Sequence, residues 1–182
     1  MSKKRILFFG ETYRADAITW MNGLREFGDF EIVTWELKTS NNGFNRIIRL
    51  FELAKAILTI KSIVKKFNPD MVIAERTTSY GYLAAISGLK PMAIAQQGIT
   101  DLWPLNSPLY ILKKILQNYA FKKADLIHAW GNSMAEHMKE SNLDMDKVMI
   151  LPTGINLDFF QFNDDTFLKS LILYLYRIGV RI

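Results

Sequence analysis

Five short apolar runs in this chain are each followed at once by residues that can hydrogen-bond or carry charge. Glu11 and Thr12 come after Ile6 to Phe9, and Glu75 with Arg76 comes after Met71 to Ala74. Gln97 with Gly98 comes after Met92 to Ala95, and Trp130 with Asn132 after Asp125 to Ala129. Thr153 with Gly154 comes after Val148 to Leu151, and Asp101 lies close behind Gly98. If these runs are strands of one parallel sheet, their ends gather on one edge, where open α/β folds bind ligands. The named residues are therefore the cleft candidates. Pro152 sharpens the last of these ends: it removes a backbone donor and biases the residue before it towards extended geometry. Gly154 then permits φ > 0, so the strand empties into a tight polar loop.

The same residue types argue against several chemistries. The first turn, Phe9-Gly10-Glu11-Thr12-Tyr13-Arg14, has one glycine and lacks the G-x-G-x-x-G spacing that brings amides onto a pyrophosphate. P-loop spacing is absent as well, which argues against an NAD-type dehydrogenase or an NTPase. Glu11 has no neighbouring acid of the kind a Mg²⁺-dependent phospho-acceptor needs. Two histidines are present. His128 lies inside a strand-like run and is expected to pack in the core, and His137 lies on a short amphipathic segment and is expected to be solvated. Neither shares a ligand spacing with a carboxylate, so no metal site is expected. No Ser-His-Asp set can be assembled, and no catalytic residue can be named.

Holding those ends together requires parallel strands joined by helices, and the pattern supplies both. Ile6 to Phe9 is apolar throughout and so belongs near the centre of a sheet. A helix is expected from Arg14 to Phe27, then a strand from Phe30 to Thr34 with room to extend to Leu37. Lys38 to Gly43 reads as a loop. From Phe44 to Phe67 a long helix puts Ile47, Leu50, Phe51, Ala54, Ile57 and Leu58 on a core stripe. Lys61 falls on the same stripe, which predicts a shift of face or a kink there. Asn68-Pro69 stops that helix. A helix of small residues follows from Tyr80 to Ser87. Ser107-Pro108 reads as cap and first position of a helix to Lys123, with Leu109, Leu112, Leu116 and Tyr119 on its stripe. Ser133 and Glu136 read as a capping box opening a helix to Asn142. The fold class expected is α/β, a Rossmann-like parallel sheet with helices on both faces.

A length of 182 residues suits one domain, or one domain and a fragment of another. A hydrophobic content of 49% fits a packed core. Cysteine is absent, which removes disulfides and thiolate chemistry. The apolar run after the basic start is too short for a signal peptide, and no run is long enough to span a bilayer. A net charge of +5 points to an anionic partner or to solubility alone. Basic residues gather in 44–67 and 107–123, which makes both segments candidates for peripheral contact with an anionic membrane. The expected place is the cytoplasm, at the inner face of the membrane. Aromatics are not interleaved with the basic residues as nucleic-acid binding would want, so no nucleic acid is expected.

Several segments taken together resemble the N-terminal half of the family 4 glycosyltransferases, of the GT-B type. The segments are Lys4-Arg5-Ile6-Leu7-Phe8-Phe9-Gly10, Asn68-Pro69-Asp70-Met71-Val72-Ile73, Ala124-Asp125-Leu126-Ile127 with Ser133, and Ile150-Leu151-Pro152-Thr153-Gly154-Ile155-Asn156-Leu157-Asp158-Phe159-Phe160. The last looks like the family's P-N-G-V-D…F hinge, with Thr153 for Asn and Asn156 for Asp. The resemblance implies two Rossmann-like domains facing across a cleft. The first holds the acceptor and the second the nucleotide-sugar donor. It implies retaining transfer of a sugar to a glycan or lipid-linked acceptor, of the kind used to build cell-envelope polysaccharides, without a bound metal or cofactor. Where the family often has a His at the end of the fifth strand, Gln97 stands here, and an amide cannot titrate.

On this resemblance residues 1–162 form the acceptor-side domain. Residues 163–182, with the apolar run Leu171 to Tyr176, are the start of a donor domain or a displaced tail. The chain alone would then be inactive, as a truncated product, or would pair with a separately encoded donor-domain chain. A sugar-nucleotide epimerase relative shares the two-domain plan. It would need acidic and His residues at strand ends, and none are found in the sequence.

Overall fold

A computed structural model describes residues 3–38, 45–96, 109–141 and 143–151. These contain six parallel strands: β1 (Lys4–Phe9), β2 (Phe30–Trp35), β3 (Met71–Glu75), β4 (Met92–Gln96), β5 (Leu126–Ala129) and β6 (Val148–Ile150). Their order across the sheet is β2-β1-β3-β4-β5-β6. The connections are α1 (Ala15–Phe27), α2 (Asn45–Phe67), a π-helical turn (Arg76–Gly81) continuing into α3 (Tyr82–Ser87), α4 (Tyr110–Lys123) and α5 (Asn132–Glu140). The expected α/β class and Rossmann-like sheet are present. The hinge-like segment after Leu151, the tail and the Ser107-Pro108 cap lie outside the described residues.

Alternation along β1 separates two cores. Ile6 and Phe8 pack with Ala17 and Met21 of α1 on one face of the sheet. Leu7 and Phe9 pack on the other face, with α2, α3, α4 and α5. Each such large side chain, taken fully out of water, stabilises the fold by about 1.5–3 kcal/mol.

Two aspartates set the register where strands begin. Asp70, just before β3, accepts the Arg5 amide of β1 at 2.8 Å, and its own amide returns a bond to the Arg5 carbonyl. That accepted amide, helped by Lys4, holds the Asp70 carboxyl below the usual carboxylate range. Asp125, just before β5, does the same for β4. It accepts the Met92 amide at 2.8 Å and Lys90 Nζ at 2.6 Å. So Asp125 is a clamp in front of β5 rather than its first residue, and the Asn68-Pro69-Asp70 and Ala124-Asp125 steps are structural.

Four expectations fail on the helices. Along α2, Ala56 and Ile60 face the core with Leu53, Ile57 and Val64 beside them, while Phe51 and Leu58 are exposed. Lys61 is exposed on an unbroken helix, so no kink is needed. On α4 the buried residues are Gln117, Ala120 and Phe121, and Leu109, Leu112 and Tyr119 face out. Apolar residues ring both helices, and the sheet selected a different arc from the one that periodicity suggested. On α5 the cap is Gly131, with no side-chain capping bond, so Ser133 is the second helical residue and forms no capping box.

Candidate functional site

The parallel ladders bring the carboxyl ends of all six strands to one edge. Glu75 is in register with Ala95, and Ala95 with His128. Gly10 lies on the other side of Glu75. A Cβ on Gly10 would come 2.7 Å from the Phe8 ring and 2.8 Å from Glu75 Oε2, so only glycine lets these strand ends approach. Gly10, Glu75, Ala95 and His128 thus form one row, with two small residues alternating with two titratable ones.

At the β1–β3 side of the row a charge cluster is closed on itself. The buried Glu75 carboxylate accepts the Glu11 amide at 3.3 Å. Glu11 is also buried, and its Oε2 lies 2.5 Å from Arg76 Nη2 and 3.9 Å from Arg14 Nη1. Arg76 reaches it from a left-handed backbone, φ 65°, which costs a non-glycine residue roughly 1–2 kcal/mol. That strained residue turns β3 directly into the π-helical turn, a feature common at functional positions. Glu36 takes both the amide and the hydroxyl of Thr12, at 2.8 Å and 2.9 Å. The buried Tyr80 hydroxyl accepts the Leu37 amide at 3.1 Å, and its ring meets Trp35 edge-on. The loops after β1, β2 and β3 are therefore cross-linked.

The β5 side is different. His128 is buried, and its ring meets Trp20 of α1 edge-on at 5.1 Å. Burial pushes its pKa below the ordinary histidine value, and the bond to Leu151 only partly opposes this. The ring is therefore neutral near pH 7. Nε2 lies 2.8 Å from the Leu151 carbonyl, which can only accept, so Nε2 carries the proton. Nδ1 is then an acceptor, and it has no hydrogen-bond partner among the described residues. Trp130 Nε1, a donor, is buried and unpartnered in the same sense. Asn132 is exposed at the first position of α5.

Of the residues expected from sequence, Glu11, Thr12, Glu75 and Arg76 come together, and Trp130 and Asn132 follow β5. Gln97, Gly98, Asp101, Thr153 and Gly154 lie outside the described residues. Arg14, Glu36 and Trp20 were not anticipated. Glu36 stands behind β2, so the strand-end rule applied to that strand finds it. Trp20 is reached by no such rule, because it arrives from the middle of α1. The epimerase expectation also changes, since buried Glu75 and His128 do lie at strand ends, one alanine apart in the row. Among the described residues no three His, Asp or Glu side chains converge as metal ligands. No described helix is long and apolar enough to cross a membrane.

The profile of the glycosyl transferase 4-like family matches residues 6–130. No curated protein matches the sequence. Among solved structures, the fold is similar to UDP-GlcNAc 2-epimerase from Neisseria meningitidis bound to UDP-GlcNAc. That match has TM-score 0.57 and 13% identity, over 81% of this chain and 45% of that one. It is similar to MnaA of S. aureus with UDP, at TM-score 0.57 and 16% identity, over 81% and 43%. It is also similar to HepE of Anabaena in complex with UDP and glucose, at TM-score 0.55 and 13% identity, over 96% and 50%. The chain spans about half the length of these structures, and at such identities they speak for the fold alone.

Proposed function

Because the chain belongs to the glycosyl transferase 4-like family, we propose that it supplies the acceptor-binding side of a retaining sugar transfer from a nucleotide sugar to a glycan or lipid-linked acceptor. One observation carries this choice of side. In nucleotide-binding folds the amides of the β1–α1 loop face phosphate. Here the Glu11 and Thr12 amides are already taken by the Glu75 and Glu36 carboxylates. Three glutamates and two arginines suit sugar hydroxyls, which both donate and accept. The Trp130 indole N–H adds a donor and the apolar face of its ring. Glu11, Thr12, Arg76, Trp130 and Asn132 are the acceptor contacts in this reading. The donor nucleotide and the groups that stabilise its departure belong to a second unit, in the same protein or in a partner chain.

Saturation-transfer NMR on the 182-residue chain tests this. Oligosaccharide acceptors should receive saturation, and Glu11→Gln should reduce it several-fold. UDP-sugars should neither bind through these residues nor turn over. Binding of UDP that Glu11→Gln abolishes would overturn the choice of side.

A second reading is an epimerase relative, favoured by the Glu75–Ala95–His128 row and by the epimerases among the similar folds. Inversion at carbon 2 requires removal of its proton. Incubating the chain with UDP-GlcNAc in D₂O separates the two. Deuterium at carbon 2 supports the epimerase, and its absence, with acceptor binding intact, supports the transferase side.

A further inference from the structure

We propose that the outward faces of α2 and α4 dock the protein on an anionic lipid surface. The inference is independent of which sugar chemistry the cleft performs. Both helices pack on the same sheet face with α3 between them, so their free sides point the same way. Those free sides are apolar. On α4, Ile111 is 74% exposed and Ile115 59%, with Leu112 and Tyr119 beside them. On α2, Phe51 is 74% exposed and Leu58 72%, one heptad apart and so on one stripe. A shallow depression of about 530 Å³ runs along the start of α4, between Leu109 and Ile115. Apolar stripes this open on two parallel helices mark an interaction surface rather than scattered surface residues.

Charge identifies the occupant. The α4 sequence carries four lysines, Lys113, Lys114, Lys122 and Lys123, and no acid. Lys114 lies over the Tyr110 ring and Lys123 over the Tyr119 ring, which sets their ammonium groups beside the stripe. On α2, Lys55, Lys61, Lys65 and Lys66 are exposed, and the single acid of that helix, Glu52, is engaged by the Lys38 amide. An apolar stripe edged by lysines is the pattern of a helix lying in the plane of a bilayer surface, with its apolar residues among the acyl chains. Lysines also tell against a second copy of the chain. A two-fold pairing of this face would set lysine against lysine.

Co-sedimentation of the full chain with vesicles tests the proposal. One set is pure phosphatidylcholine, and the other holds about 30% phosphatidylglycerol. Binding should be at least tenfold tighter on the anionic vesicles, at roughly one factor of several per lysine engaged, and should weaken as salt rises. The double variant Ile111→Gln/Ile115→Gln keeps the charge and should lose most of the binding. Lys122→Gln/Lys123→Gln should lose the preference for anionic lipid. Circular dichroism and the melting temperature should be unchanged in both, because the altered side chains face solvent. Failure to bind anionic vesicles overturns the proposal, and so does binding indifferent to Ile111 and Ile115. A dimer in solution that Ile111→Gln/Ile115→Gln dissolves would assign the face to a second copy instead.

Discussion

The two ends of the cleft row are built on opposite plans. At the β1–β3 end both buried carboxylates have counterparts, Glu11 in Arg76 and Glu75 in an amide, and the half-buried Glu36 closes on Thr12. At the β5 end a donor on Trp130 and an acceptor on His128 are buried without partners among the described residues. A closed cluster keeps its geometry whether or not a ligand is present, because its desolvation is already offset internally. Unmatched groups carry a standing cost of about 1–3 kcal/mol each, which a ligand that matches them would relieve. The first end is therefore the fixed wall of the cleft. The second is the end where bound substrate should raise stability.

Substitutions at position 76 should show the largest effect. Arg76→Ala removes the 2.5 Å guanidinium partner of the buried Glu11, and the loss of stability should be about 3 kcal/mol in urea unfolding. Arg76→Gly loses the same charge but relieves the left-handed backbone, so it should be more stable than the alanine variant by about 1 kcal/mol. If alanine and glycine behave alike, the strain is not stored there. Gly10→Ala comes next. Its methyl would meet the Phe8 ring and the Glu75 carboxyl, so about 2 kcal/mol should be lost, and Glu75 should shift away from the Glu11 amide.

The β5 end should respond to pH. The folded pKa of His128 is depressed by burial, so the unfolded chain binds its proton first as pH falls. The associated stability is complete well above the unfolded value near 6.5 and is lost as pH falls below it through the folded value. The slope stays below about 1.4 kcal/mol per pH unit, the limit for one proton. His128→Met should flatten that part of the profile, and an unchanged profile would place the titration elsewhere. Trp130→Phe should have the smallest effect on stability, within about 0.5 kcal/mol of the parent or slightly above it, since it deletes a donor that has no partner among the described residues. Its cost should appear in acceptor affinity, by the NMR measurement above.

The strands were legible because each is a nearly unbroken apolar run between punctuating residues, and because Asp70 and Asp125 fix where β3 and β5 begin. The grouping of Glu11, Glu75 and Arg76 followed from the parallel arrangement alone. Helix faces were not legible. Phe51, Leu58, Leu112 and Tyr119 obey a helical period as well as Ala56, Ile60, Ala120 and Phe121 do, and periodicity gives no sign to the face. Only the sheet's demand for close approach selects alanine and isoleucine for the inside. Trp20 and the pairing of Thr12 with Glu36 were hidden for another reason. Both depend on tertiary distance between elements, which no local spacing encodes.

The strand order has a consequence for the chain as it leaves the ribosome. Among the described strands β1 is made before β2 and lies beside it, so this β-α-β unit can form once Trp35 has emerged. Every later strand is then laid against a strand already finished: β3 on β1, β4 on β3, β5 on β4 and β6 on β5. Growth runs in one direction, in the order of translation, and none of the described strands has to be inserted between two that are already paired. A parallel sheet built from distant segments folds slowly in bulk solution because its contacts are non-local. Here synthesis itself supplies the sequence of additions, and each new described strand joins at the edge away from β2.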